Sequence, residues 1–369
     1  MENKKMLLIF HKPLTQVDGQ TKYVKELIRV ASEQYEVEIP SEEFFTKYGM
    51  KNRNWILRTF LINIYLSFWV IRNKKYIRNQ LPVCIMEDRY SMFPTFLLLK
   101  LTGIKLISRV SDWGEEYVDT LNIKGRIPAL LIGILDHFYR HFVMNSSEAA
   151  IVPSEYLNLL LGKNFKKPIL NFPLICSISA ETKDCRNNYN NIRDEDHDIY
   201  CVLIGNFNYL PNEKAAMYLI KEVAPTVKKA DNRIKFLIVG AGSDVKFSRY
   251  NSENIISMGM VDELDEIYSQ CQIGINLSVT TGGTSIKNIE YLVNGLVVIS
   301  TPEAAIGVIR SSNLFVTGKK DFLHTVLKVS AKIREKDLAN VENEAQRVRQ
   351  YYSEDRISTN ALAFLKTVY

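Results

Sequence analysis

A lysine and a glutamate three residues apart, Lys287 and Glu290, follow a glycine pair and two hydroxyl residues in the stretch TTGGTSIKNIEYLVNGLVVIST, residues 280–301. On a helix, that spacing places both side chains on one face. A cation there can neutralise a diphosphate, while a carboxylate one turn away accepts hydrogen bonds from sugar hydroxyls. Gly282 and Gly283 let a ligand approach the backbone, and Thr284 and Ser285 stand at a helix start, where free N–H groups attract anions. The set suits a nucleoside diphosphate carrying a sugar. Taken alone, the same residues also describe a glycine-shaped turn with a surface ion pair.

The elements around these residues narrow the choice. CQIGINLS (271–278) is a short apolar, β-branched run that predicts a buried strand. Ile286, Ile289 and Val293 recur at i, i+3 and i+7, predicting a helix that Asn294-Gly295 stops, and LVVIST predicts a second strand. Strand, glycine loop, helix and strand make a parallel β/α unit whose loop lies at the strand's carboxyl end, where open α/β sheets hold ligands.

The same alternation runs through the chain. MLLIF, EVEIP, PVCIM, KLISRV, AAIVP and PILNF predict strands in the first half, with helices such as GQTKYVKELIRVASEQ and SMFPTFLLLKLTG between them. YCVLIGNF, KFLIVGAG, IISMGMV and LFVT add strands to the second. In IVGAGSD, Asp244 stands where the last glycine of a dinucleotide fingerprint belongs, so that stretch reads as a tight strand-to-loop turn. Two runs of alternation predict an α/β protein with two Rossmann-like domains facing each other across a cleft, followed by C-terminal helices. The expected divisions are a first domain over 1–178, a polar linker over 179–197, a second domain over 198–345 and a helical segment over 346–369.

LIGNFNYLPNEKAA, FLIVGAG, MGMVDELDEIYSQCQIGINLS and GGTSIKNIEYLVNGLVVISTPEAAIG, in this order and spacing, resemble the donor-binding domain of GT-B glycosyltransferases of family 4 (group 1). The first half agrees more loosely, through HKPLTQVDGQTKYVKEL, KLISRVSDW and AAIVPSEYL. The resemblance implies transfer of a sugar from a nucleotide-diphosphate donor, UDP- or GDP-linked, usually with retention of anomeric configuration and with no metal or further cofactor. By position it implies that Glu290 binds the ribose and Lys287 the diphosphate. It also implies that the backbone of Gly282, Gly283, Thr284 and Ser285 binds the phosphates or donor sugar. Gly19 would lie in a loop approaching the donor from the first domain, and Gly205 with Asn206 in the other phosphate-side loop.

A retaining transfer needs the leaving group's charge stabilised, which suits Lys287, and the acceptor hydroxyl held on the face of departure. Asp112 follows LISRV at a strand's carboxyl end and is the candidate for the second task; Glu87 and Asp88 follow PVCIM in the same way. Acids capping the next helices would give the same pattern. The chain departs from the family in three places. Gly282 stands eight residues before Glu290 where many members carry glutamate, Asn206 follows Gly205 in place of arginine, and Ser111-Asp112 replaces His-Asp. These departures motivate an alternative, an inactive GT-B pair that binds or stabilises a partner transferase. A sugar-nucleotide epimerase of the same fold fits the donor-region phrasing less well.

At 369 residues, 46% hydrophobic and 24% charged, the chain suits two folded domains and excludes wholesale disorder. Five cysteines (Cys84, Cys176, Cys185, Cys201, Cys271) without a CxxC pair indicate a reducing compartment and no structural zinc. The apolar run in MENKKMLLIFHKP is too short for a signal peptide, so a cytoplasmic protein is expected. No metal site is expected either. The acids of DEDHD (194–198) fall in the linker, and His137 and His141 lack a third ligand.

Net charge is +6, and residues 1–180 hold 24 Lys and Arg against 17 Asp and Glu. Segment 51–80 carries seven cations and no acid around Trp55, Phe60, Tyr65, Phe68 and Trp69. Its charge-free run of 13 residues (59–71) falls short of the roughly 20 that span a bilayer. The segment predicts either a core helix with basic ends or a peripheral contact with an anionic membrane at the inner face of the cell membrane. With no base-stacking module, a nucleic-acid partner is not expected. The resulting expectation is a transferase of polysaccharide biosynthesis that moves a sugar to a glycan or lipid-linked acceptor.

Overall fold

Runs of Val, Ile and Leu that are apolar at successive positions cannot leave one strand face in water, and here they form parallel sheets covered on both faces. The structure, a computed structural model, describes residues 4–15, 19–48, 55–87, 92–110, 134, 138, 141–175, 197–278, 284–336 and 341–369. The chain divides into two units, Met1–Ile175 with Glu354–Tyr369, and Cys176–Ser353.

In the first unit, β1 (Lys4–Ile9), β2 (Tyr35–Glu38), β3 (Val83–Glu87), β4 (Lys105–Arg109), β5 (Ala149–Val152) and β6 (Ile169–Asn171) pair in parallel in the order β2-β1-β3-β4-β5-β6. Helices Gly19–Ser32 and Glu354–Val368 pack on one face, through Tyr23, Val24, Leu27, Ile357, Ala361 and Leu365. Helices Pro40–Tyr48, Trp55–Arg72 and Phe93–Thr102 pack on the other, through Phe44, Phe45, Ile62, Leu66, Phe96 and Leu99.

In the second unit, β7 (Ile199–Ile204), β8 (Ile234–Val239), β9 (Ile255–Gly259), β10 (Ile273–Asn276), β11 (Val297–Ser300) and β12 (Leu314–Val316) form a parallel sheet in the order β12-β11-β10-β7-β8-β9. Helices Leu210–Tyr218, Ala224–Ala230 and Lys319–Arg334 cover one face, and Leu264–Gln270, Ile286–Val293 and Val341–Tyr351 the other. Every strand expected from the sequence is present, and the α/β class with C-terminal helices is correct.

Each strand order reverses once, between β1 and β3 and between β10 and β7. In open α/β sheets, loops on either side of such a reversal diverge and leave a crevice. Strands β7 and β10 pair only at Cys201 and Val202 against Ile273 and Gly274. The C-terminal stretch divides between the units: Val341–Tyr351 lies in the second and Glu354–Val368 in the first. Linker residues 179–196 lie outside the described residues.

Candidate functional site

Helix Ile286–Val293 is fixed to its sheet by Tyr291, which is fully buried. A β-carbon at Gly274 on β10 would lie 2.4 Å from the Tyr291 ring, so the glycine makes the space that the ring fills. Beyond its short pairing with β10, β7 turns the Ile204 N–H toward this helix, and that N–H donates to the Tyr291 hydroxyl at 2.9 Å. The helix ends as its sequence predicts. Gly295 takes φ +77°, its N–H donates to the Leu292 carbonyl and the Leu296 N–H to that of Tyr291. Tyr291 is one residue past Glu290 and four past Lys287, so anchoring it sets where both point.

Lys287 reaches back to the first turn of helix Leu210–Tyr218, which follows the loop after β7. Its Nζ donates to Asn212 Oδ1 at 2.8 Å, and Asn212 Nδ2 donates to the Asn206 carbonyl at 2.9 Å. A β-carbon at Gly205 would stand 3.3 Å from Lys287 Nζ, so the bare glycine backbone leaves room for the ammonium. Asn206 Oδ1 accepts from the Asn208 N–H at 3.0 Å and shapes the same turn. Gly240, in the next loop, has φ +130°, and a β-carbon there would lie 2.1 Å from the Gly205 carbonyl oxygen. The two loops touch backbone to backbone, which only glycine permits, as the reading of IVGAGSD requires.

Burial pulls the Lys287 amine down to about 8, against Glu290, whose carboxylate favours the charged form. An amine held this way keeps part of its charge for an anion, because the partner nearest it is a neutral amide.

A second network pins the ends of the glycine loop. Asn276, the last residue of β10, donates to Ser285 Oγ at 2.7 Å and to Asn288 Oδ1 at 3.0 Å. Asn288, fully buried, donates to Ser300 Oγ at 3.0 Å and to the Ala304 carbonyl at 2.9 Å. Thr301 Oγ1 donates to the Ser278 carbonyl. Both ends of the loop are thereby tied to β11 and the turn after it. At its exit, the Thr284 hydroxyl is buried with no hydrogen-bond partner among the described residues. Sequence reasoning missed Asn212, Asn276, Asn288 and Ser300; the only trace of them is polar residues at the ends of β10 and β11 and amides inside two helices.

In the first unit, Gly19 opens helix Gly19–Ser32. Glu87, at the end of β3, is 2% exposed and bonded to His11 Nδ1 through Oε2 and to Arg109 Nη1 through Oε1 at 3.2 Å. The Arg109 guanidinium lies 4.8 Å from the Tyr23 ring centroid and 5.8 Å from that of Phe10. Glu87 is thus enclosed in an ion-paired cluster at the reversal point between β1 and β3. Asp88, Asp112, His137, Gly282 and Gly283 lie outside the described residues. Among the described residues, no three His, Cys, Asp or Glu side chains gather as around a metal ion.

Residues 198–331 match the family model for glycosyl transferases group 1. No curated protein sequence matches the chain. Among solved structures, sucrose-phosphate synthase from Thermosynechococcus elongatus is similar at 14% identity and TM-score 0.70, covering 99% of each chain. The Anabaena protein Alr3699/HepE, solved with UDP-glucose, is similar at 10% identity and TM-score 0.65, covering 98% of this chain and 99% of that one. A glycosyltransferase from Rickettsia africae is similar at 12% identity and TM-score 0.62, covering 100% of this chain and 99% of that one. The fold is that of the GT-B glycosyltransferases, and within the second unit residues 198–331 match the group 1 family, in line with the sequence resemblance.

Proposed function

We propose that this chain transfers a sugar from a nucleotide-diphosphate donor, with retention and without a metal, to a glycan or lipid-linked acceptor. One observation carries the reading. The Lys287 ammonium is held on a neutral amide above Gly205, at the carboxyl ends of β7 and β10, inside the segment that matches the transferase family. Lys287 would neutralise the diphosphate most strongly as it departs, and Glu290, one helical turn on, would accept hydrogen bonds from the ribose. The unpartnered Thr284 hydroxyl and the N–H groups beside it supply further donors for phosphate or sugar oxygens.

UDP is the first donor to test, because the similar Anabaena protein was solved with UDP and with UDP-glucose. On the acceptor side, Asp112 is the candidate for holding the acceptor hydroxyl. Glu87, committed on both carboxylate oxygens, instead positions the loop after β1. The protein works in the cytoplasm, in polysaccharide biosynthesis at the inner face of the membrane. Calorimetry with UDP, GDP, ADP, TDP and CMP tests the donor site. UDP or GDP should bind, and Glu290→Ala should weaken binding by roughly 1.5 to 3 kcal/mol, the range for bonds to a charged group. No binding by any nucleotide overturns the reading. Binding without transfer until a second protein is added would favour the partner-stabilising alternative, which the substitution of Gly282 for the usual glutamate motivates.

A further inference from the structure

We infer that the outward face of helix Trp55–Arg72, with the basic turn after it, is a docking surface for an anionic lipid bilayer. Leu57, Phe60, Ile64, Phe68 and Ile71 recur at spacings of three and four, forming one stripe along the helix, and all five are exposed. Phe60 is 62% exposed and Phe68 69%. A single exposed hydrophobic residue needs no explanation, but five in a row on an ordered helix form a patch that a soluble surface rarely carries.

The stripe is held outward by the other side of the same helix. Ile62, Leu66 and Val70 are buried in the core beside Phe44, Phe45 and Phe96. Asn63 Oδ1 accepts from Thr95 Oγ1 of the neighbouring helix at 3.2 Å, and Ser67 meets the same hydroxyl at 3.5 Å. These contacts fix the rotation of the helix, so docking requires no further ordering.

Charge identifies the occupant. Arg72 ends the helix, and Lys74, Lys75 and Arg78 follow on helix Lys74–Gln80, all four exposed. Cations in a last turn complement the helix dipole, which accounts for Arg72 and Arg78 at the ends of their helices but not for Lys74 and Lys75 in the first turn of the second. Segment 51–80 contains no acid, so a second copy docked through the same segment would bring no countercharge to this end of the stripe. A nucleic acid would satisfy the cations and leave the apolar stripe in water. A bilayer of anionic lipid satisfies both, with headgroup phosphates on the basic turn and the acyl boundary on the stripe. No described helix is long and apolar enough to cross a membrane, so the contact lies in the plane of the interface. The surface stands on these side chains alone; it rests on the proposed function only for its purpose, which is to bring the transferase to a lipid-linked acceptor.

Vesicle flotation of the full chain tests the surface, comparing phosphatidylcholine alone with equal parts phosphatidylcholine and phosphatidylglycerol. The protein should float with the mixed vesicles only and be released as salt rises. Each Gln substituted at Arg72, Lys74, Lys75 or Arg78 should weaken binding by about fivefold. Phe60→Gln with Phe68→Gln should abolish it while all charge remains. Both positions are exposed, so the unfolding midpoint and UDP affinity of that variant should match wild type. Three results overturn the proposal: equal floating with both vesicle types or with neither, floating retained in the double variant, or a dimer that the double variant dissociates while no vesicle is bound. UDP binding without flotation sinks only this surface. Flotation without any nucleotide binding upholds the surface and sinks the transferase reading.

Discussion

Raising the pH from 7 to 9.5 should weaken UDP binding about 30-fold, and the whole of that loss should depend on Lys287. Burial holds this amine near 8 in the free protein, below its ordinary value of 10.5. A bound diphosphate restores the charge, so binding above pH 8 requires proton uptake, and affinity falls tenfold per pH unit beyond it, or 1.36 kcal/mol. A lysine left at its ordinary value would give a loss of only about 1.1-fold over the same interval. The stability sign runs the other way from a salt-bridged lysine. Because the folded value lies below the unfolded one, charging the buried amine destabilises the fold below pH 8. That penalty, about 3 kcal/mol at most, is relieved as the pH rises from 8 to 10.5. Titration calorimetry at fixed ionic strength measures the affinity, and repeating it in buffers of different ionisation enthalpy measures the proton. Lys287→Ala should bind more weakly at pH 7 with no pH dependence from this amine. A wild-type affinity flat from pH 7 to 9.5, or the same fall in Lys287→Ala, would refute the reasoning.

Asn212→Ala removes the acceptor at 2.8 Å from the Lys287 ammonium, so the pH at which UDP affinity begins to fall should move below that of wild type; Asn212→Asp should move it above. Gly240→Ala puts a methyl group 2.1 Å from the Gly205 carbonyl oxygen at φ +130°, and urea unfolding should show a loss of at least about 3 kcal/mol. Glu87→Gln leaves Arg109 buried without its countercharge and should cost about 3 to 5 kcal/mol of stability. Unchanged unfolding with abolished transfer would instead make Glu87 part of the chemistry.

The strands were legible because both faces of each sheet are covered, which makes IGIN and VVIS apolar at nearly every position and sets them off from polar loops. The helix carrying Lys287 and Glu290 was legible from its period and its glycine stop. The groups that hold these residues were not. Asn276 and Asn288 are twelve positions apart and join across a loop, and buried amide networks follow no period. Gly274 and Tyr291 fit together across seventeen positions, in a strand and a helix, and neither residue announces the other. Glu87 looked like any acid after a strand, because its partners His11 and Arg109 come from the ends of two other strands. Residues 55–72 are apolar on both sides, and only the packing of Ile62, Leu66 and Val70 decides that Phe60 and Phe68 face outward.

The identity of residue 212 bears on whether the site is a working one. An aspartate there would hold Lys287 at least as firmly and raise its proton affinity, removing the destabilisation that burial causes. It would also neutralise the field that an incoming diphosphate needs. Asparagine gives position without neutralisation, and Glu290, on the same helix, only partly offsets the desolvation of the amine. A scaffold that merely stabilises a partner gains nothing from a charged lysine held in a buried site, and Lys287→Met should make such a protein more stable near pH 7. In a transferase the donor's diphosphate replaces the hydration that burial takes from this charge, so the folding energy lost in the free protein returns as affinity for the diphosphate. Greater stability of Lys287→Met at pH 7 together with weakened UDP binding is the expected pair of results. Greater stability with unaltered UDP affinity would remove Lys287 from the site.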